Sequence, residues 1–315
     1  MSETIENAGT AGDAGNAGAA GNTGAAAGDG AFASPADVER RLAEVRYLAD
    51  EAIATTVFLA QALGKPLLVE GPAGVGKTEL AKAVAAATRA ELIRLQCYEG
   101  LDEARALYEF NYKKQLLAIQ AAPADRAWQE THDDIFSEEF LLERPLLAAI
   151  RRAEPTVLLI DEADKADVEV EGMLLEVLSD FQVTIPELGT VSAVRRPFVL
   201  ITSNAARELS EALKRRCLYL HLDYPAAERE RDIVLAQVPG IEAELAEQLV
   251  RTVGTLRALE VKKAPSIAET VDWARTLLAL GLDELDEAAV ARTLGVVLKH
   301  ASDQERAAKE LGLRG

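Results

Sequence analysis

Gly71-Pro72-Ala73-Gly74-Val75-Gly76-Lys77-Thr78 decides the fold, because the apolar run Leu67-Leu68-Val69 leads into it and the helical pattern Leu80-Ala81-Lys82-Ala83-Val84 leads out. That order reads strand, phosphate loop, helix. Glycines let backbone N–H groups turn inward around phosphates, and the start of the following helix adds a partial positive charge. Lys77 is expected to reach the β- and γ-phosphates of a nucleoside triphosphate, and the Thr78 hydroxyl to take one position on Mg²⁺. Glu79 follows directly and is counted with the nucleotide-binding segment. The competing reading is a glycine-rich turn that fits by accident; every fixed position and the strand-to-helix context stand against it.

A second apolar run, Thr156-Val157-Leu158-Leu159-Ile160, ends in Asp161-Glu162, the pattern of a strand buried on both faces with acids at its carboxyl end. Ligands of open α/β sheets bind outside the carboxyl ends of the strands, so these acids are expected to face the phosphate loop. Asp161 then holds Mg²⁺ through water and Glu162 acts as general base on the attacking water. A third run, Phe198 to Ser203, ends at Asn204, whose amide can both donate to a γ-phosphate and accept from the lytic water.

With 315 residues and 49% apolar side chains, the chain can bury a large core in one large or two ordinary domains. No apolar run approaches the ~20 residues that span a bilayer. Met1 to Glu6 has neither the basic residues nor the apolar stretch of a secretory signal, so the expected compartment is the cytoplasm. A net charge of −18 argues against nucleic acid as the main partner. His132, His221 and His300 are far apart and form no metal-ligand spacing, and Cys97 and Cys217 border β-like runs as small buried hydrophobes.

Residues 1–33, nearly all Gly, Ala, Asn, Thr and acids, are read as a disordered tail. Order is expected from Ser34-Pro35-Ala36-Asp37, with Ser34 as N-cap and Pro35 at the first helical position. The pattern then gives an α/β body over residues 34–224. A helical segment from Leu101 to Ala118 (101–118) follows the second strand, an irregular polar loop starts at Pro123, and a hairpin spans about 181–195. From Ala226 the reading is helical, with breaks at Pro239-Gly240, Ala264-Pro265 and Gly281, so residues 225–315 form a small α-helical lid.

This ordered set of motifs resembles the AAA+ ATPase module over about residues 38–315. Arg94-Leu95-Gln96-Cys97-Tyr98-Glu99-Gly100, Leu141 to Ile150 and Arg215 to Pro225 look like the MoxR family, and most resemble its CoxD-like branch. The resemblance implies an AAA+ P-loop NTPase body with a five-stranded parallel sheet of order 5-1-4-3-2, a C-terminal helical lid, and a homo-oligomeric ring, usually a hexamer, with ATP and Mg²⁺ between subunits. It maps Walker A onto Gly71 to Thr78, Walker B onto Asp161 and Glu162, and sensor 1 onto Asn204. A trans-acting arginine finger falls on Arg216, with Arg215 the runner-up; a solvated charge run is the plain alternative. A client protein is implied, with a von Willebrand A domain partner and maturation of a molybdenum enzyme. The chain departs from the AAA+ pattern at sensor 2: Lys262 to Glu269 has no arginine, which leaves Lys263 or Arg275 as substitutes. The rival functional reading is a nucleotide-gated assembly scaffold with negligible turnover.

Overall fold

The computed structural model describes residues 30–122, 132 and 134–313. Along them run the strands β1 (Leu67–Glu70), β2 (Glu91–Gln96), β3 (Tyr108–Phe110), β4 (Leu141–Glu143), β5 (Thr156–Asp161), β6 (Gln182–Ile185), β7 (Gly189–Ser192), β8 (Phe198–Ser203) and β9 (Leu218–His221). The main sheet is hydrogen-bonded in the order β2-β5-β8-β1-β9. All of its pairings are parallel, with Leu67 opposite both Leu200 and Leu218, and Gln96 opposite Asp161. Counted along the chain, these five strands lie 5-1-4-3-2, the order expected. Parallel strands of one sheet require crossover connections, and the helix Lys77–Thr88 supplies the first of them, leading from β1 past β8 and β5 to β2 at the edge.

Side chains alternate across the pleat, and the two faces of the sheet enter two separate cores. Leu67, Val69, Val157, Leu159 and Leu200 pack with the helices Pro35–Glu44, Glu51–Leu63 and Lys77–Thr88 and with the C-terminal helices. Leu68, Leu158, Ile160, Val199 and Ile201 pack on the other side with Leu107, Phe110, Val183 and Ile185. β5 is buried at all six positions, which explains its uninterrupted apolar run.

Two sequence expectations need correction. The segment from Leu101 to Ala118 is not one helix: β3 interrupts it and pairs antiparallel with β4. Phe110 is buried there, edge-to-face with Phe136 at 5.3 Å, and Asn111 caps the helix Tyr112–Ala121 by accepting from Lys114 N–H at 3.0 Å. Order also begins before Ser34. Phe32 is 4% exposed and belongs to the core on the lid side, while Ser34 does cap the first helix by accepting from Asp37 N–H at 3.2 Å. The rest of the expected disordered tail, and most of the loop after Pro123, lie outside the described residues.

The hairpin consists of β6 and β7. After β9 come the helices Ala227–Gln237, Ala243–Ala258, Ile267–Ala279, Glu287–Thr293 and Ala301–Glu310. A buried pair ties three of them together: Arg257 donates to both Glu230 oxygens at 2.5 and 2.8 Å, and the Thr270 hydroxyl donates to Glu230 at 2.7 Å.

Candidate nucleotide site

The phosphate loop sits at the carboxyl end of β1, and its glycines are fixed by close neighbours. At Gly71, φ is 153° and an added Cβ would lie 1.9 Å from the Leu222 carbonyl oxygen. At Gly74, φ is 75° and a Cβ would meet the Ser266 hydroxyl at 2.2 Å. The start of the lid helix Ile267–Ala279 is therefore seated on the loop itself, and Ala268 N–H donates to the Gly74 carbonyl at 3.2 Å.

Lys77 is 5% exposed and donates to Gly71 O at 2.6 Å, Pro72 O at 2.7 Å and Asn204 Oδ1 at 2.8 Å. Burial pushes its ammonium below the ordinary lysine value, against the pull of Asp164, Asp161 and Glu162. Gly71 and Pro72 thus turn carbonyls toward Lys77, while Ala73, Gly74, Val75, Gly76, Lys77, Thr78 and Glu79 line the cavity. Glu79 also pairs with Lys82 at 3.1 Å.

β5 delivers the acids. Asp161, 2% exposed, accepts from Thr78 Oγ1 at 3.0 Å, from Thr202 Oγ1 at 2.6 Å and from Arg94 Nη2 at 2.5 Å. Glu162 has φ 56°, a left-handed conformation uncommon outside glycine, and its N–H donates to Thr202 Oγ1 at 2.8 Å. Its carboxylate accepts from Gln96 Nε2 at 2.8 Å, Lys165 Nζ at 2.7 Å and Asn204 Nδ2 at 3.4 Å. Asn204 therefore bridges the phosphate-loop lysine and the acid. Asp164 holds the loop behind it, accepting from Asn204 N–H at 3.2 Å and Ala206 N–H at 3.0 Å around Ala205, which also has positive φ.

Lys77, Thr78, Asp161, Glu162, Thr202 and Asn204 line the polar end of a cavity of about 610 Å³. Tyr47, Leu48, Ile53, Ile233 and Val271 contribute to its apolar end. The size and the division into apolar and charged ends suit a nucleotide. For a divalent cation the oxygen donors are Thr78 and Asp161, and among the described residues no cluster of three or more His, Cys, Asp or Glu side chains could hold a metal. The donors fit a hard cation that brings most of its ligands with it as phosphate oxygens and water.

Of the two sensor 2 substitutes, Arg275 lines this cavity, with Asp272 at 3.2 Å from its guanidinium. Lys263 faces Glu269 at 3.2 Å in a smaller neighbouring cavity. Arg215 and Arg216 end the helix Glu211–Arg216, and neither lines this cavity. Arg216 donates to Ser179 Oγ at 2.9 Å; the Arg215 side chain makes no hydrogen bond or ion pair to a described residue. Sequence reasoning missed Arg94, Gln96, Thr202 and Asp164. Asp164 had a signal in its place within Asp161-Glu162-Ala163-Asp164, while the others become visible only when β2 and β8 flank β5. Burial pushes the Cys97 thiol up to about 12, which leaves it chemically inert.

The sheet order, the phosphate loop and the paired acids define an α/β P-loop NTPase fold with a helical C-terminal part. Residues 66–217 match the family model of the AAA domain, dynein-related subfamily. The denitrification regulatory protein NirQ of Pseudomonas aeruginosa is 25% identical over 237 residues, which cover 72% of this chain and 82% of NirQ. An uncharacterized protein of Staphylococcus haemolyticus is 25% identical over 255 residues, 77% of this chain and 88% of that protein. The chaperone protein ClpB 2 of Parasynechococcus marenigrum is 36% identical over 139 residues, 43% of this chain but 13% of the relative. Among solved structures, a mutant RuvB of Thermotoga maritima aligns with a TM-score of 0.48 and 16% identity, covering 89% of this chain and 83% of that one.

Proposed function

We propose that the chain is a Mg²⁺-dependent ATPase of the MoxR type that works in a homo-oligomeric ring, a hexamer, and remodels a client protein. The observation that carries this reading is the continuous polar connection Lys77–Asn204–Glu162 beside Thr78–Asp161. On binding ATP, Lys77 exchanges its loop carbonyls for phosphate oxygens, and Asn204, losing that lysine contact, is placed to orient the lytic water. Glu162, on a backbone held by Thr202, takes the proton from that water. Mg²⁺ bound by Thr78 and Asp161 supplies neutralising charge at the phosphates. Arg216, with Arg215 the alternative, serves a neighbouring subunit's nucleotide.

The client-facing surface in this reading is the hairpin β6–β7 with the insert around β3. Support comes from their shared core with alternate residues of β5, the strand that carries the acids. The relatives named as a regulatory protein and a chaperone are in keeping with action on another protein. A von Willebrand A domain partner rests on the resemblance to the MoxR family and a molybdenum enzyme as client on that to its CoxD-like branch, and a cytoplasmic location is part of the same proposal. No helix among the described residues is long and apolar enough to cross a membrane.

The test separates binding from chemistry. Lys77→Ala is expected to abolish binding of a fluorescent ATP analogue, while Glu162→Gln keeps binding and loses phosphate release. Tight binding by Lys77→Ala, or near-normal turnover in Glu162→Gln, overturns the assignment. An unmodified chain that assembles on ATP without releasing phosphate would support the scaffold reading instead.

A further inference from the structure

We infer that Arg94 is a charge plug on the metal end of the site, compensating the Asp161 carboxylate until a nucleotide-borne cation displaces it. This rests on the nucleotide reading above. Asp161 is almost wholly buried, and a buried carboxylate needs compensation. Two of its partners, Thr78 and Thr202, are neutral hydroxyls, and Arg94 is its only ion pair among the described residues.

Position makes that pair reversible. β2 is an edge strand of the main sheet, and Arg94 lies on it two residues before Gln96, which is opposite Asp161. The Arg94 side chain is 50% exposed while that of Asp161 is 2% exposed. The guanidinium therefore reaches in from solvent to a buried partner and can withdraw without opening the core. Its other contact is Oε1 of the neighbouring Gln96, on the same edge strand.

The Thr78 hydroxyl can donate its hydrogen to Asp161 and still offer a lone pair to a cation. Arg94 cannot share the carboxylate in that way. A guanidinium at 2.5 Å from Oδ2 puts a unit charge within a few ångströms of any dication held by the same group. With the half-exposed guanidinium screened by solvent at a dielectric of ~80 and about 6 Å from the cation, that repulsion weakens cation binding by about tenfold. The consequence is order: the free ion is disfavoured, and the cation enters with the phosphates that supply its remaining ligands.

The test titrates Mn²⁺ by electron paramagnetic resonance, without nucleotide, into the full chain, Arg94→Met, Arg94→Gln and Arg94→Lys. The Met and Gln variants are expected to bind Mn²⁺ about tenfold more tightly than the unmodified chain, and the Lys variant to match it. Adding Asp161→Asn to Arg94→Met should remove the gain. ATP in EDTA should bind all four proteins alike, whereas Mn²⁺-ATP should bind the Met and Gln variants more tightly. Unchanged or weaker Mn²⁺ binding in both neutral variants overturns the plug while leaving the ATPase reading intact. Failure of the unmodified chain to bind Mn²⁺-ATP at all overturns both.

Discussion

Removing Phe32 should destabilise the whole body of the protein, although it lies in the Gly/Ala-rich stretch where composition predicts no contribution. Its ring is buried in the core shared with the lid, worth about 1.5–3 kcal/mol. The Arg41 guanidinium lies 4.8 Å from the ring centroid, adding ~0.5–1 kcal/mol, and Phe32 N–H donates to Gln61 Oε1 at 3.2 Å, adding about 1 kcal/mol. Arg41 is itself anchored to the carbonyls of Gly30 and Ala31 at 3.1 Å and to that of Ala87. The whole segment is worth about 3–5 kcal/mol, or roughly 6–10 °C in melting temperature at about 2 °C per kcal/mol for a chain of this size. The assay is calorimetry on three proteins: a truncation starting at Gly30, a truncation starting at Ser34, and the full chain with Phe32→Ala. The Gly30 truncation should melt with the full chain, and the other two should fall, the Ser34 truncation furthest because it also loses the backbone contacts. If the two truncations melt within about 1 °C of each other, against the shift derived above, the packing argument for Phe32 is refuted.

Gly74→Ala should weaken nucleotide binding by about tenfold, because the new Cβ meets the Ser266 hydroxyl and the left-handed backbone costs ~1–2 kcal/mol. A partial rescue by Ser266→Gly in a double-mutant cycle would tie the loss to the lid seat, and full additivity would refute that. Burial alone would raise the Glu269 carboxyl, but Ser266 and Lys263 hold it below its ordinary value. The folded state then releases this proton more readily than the unfolded chain, so the stabilisation is present above the ordinary carboxylate range and fades as pH falls through the lowered value. Melting curves against pH should accordingly show a shallower acid slope for Glu269→Gln; an identical slope would contradict the shift. Arg216→Ala and Glu162→Gln subunits, each inactive alone, should regain hydrolysis when co-assembled, with Arg215→Ala as the control. Confirmed co-assembly without recovery for either arginine would rule out a finger acting in trans.

The central strands were legible because burial on both faces writes long apolar runs, and the acids and amide stand where those runs stop. β3 was not, since three residues inside a segment with helical spacing become a strand only through pairing with β4, far along the chain. Phe32 disappears in a compositional average, and only its seat between Arg41 and Gln61 distinguishes it from its neighbours. Arg94 and Gln96 read as ordinary polar positions of an edge strand. Strand order, which no local pattern encodes, sets them against Asp161 and Glu162.

Leu158 and Leu159 are chemically identical neighbours on β5, yet they answer to different parts of the molecule. Drift in the size of Leu159 must be matched on the face covered by the helix Lys77–Thr88, whereas drift at Leu158 must be matched on the face covered by the helix Pro145–Arg151. Among descendants of one ancestral sequence, the two positions should therefore co-vary with separate sets of residues, and the surface above the insert and hairpin can diversify while the opposite side stays fixed. The single layer of backbone between them lets the side chains of one core change without repacking those of the other.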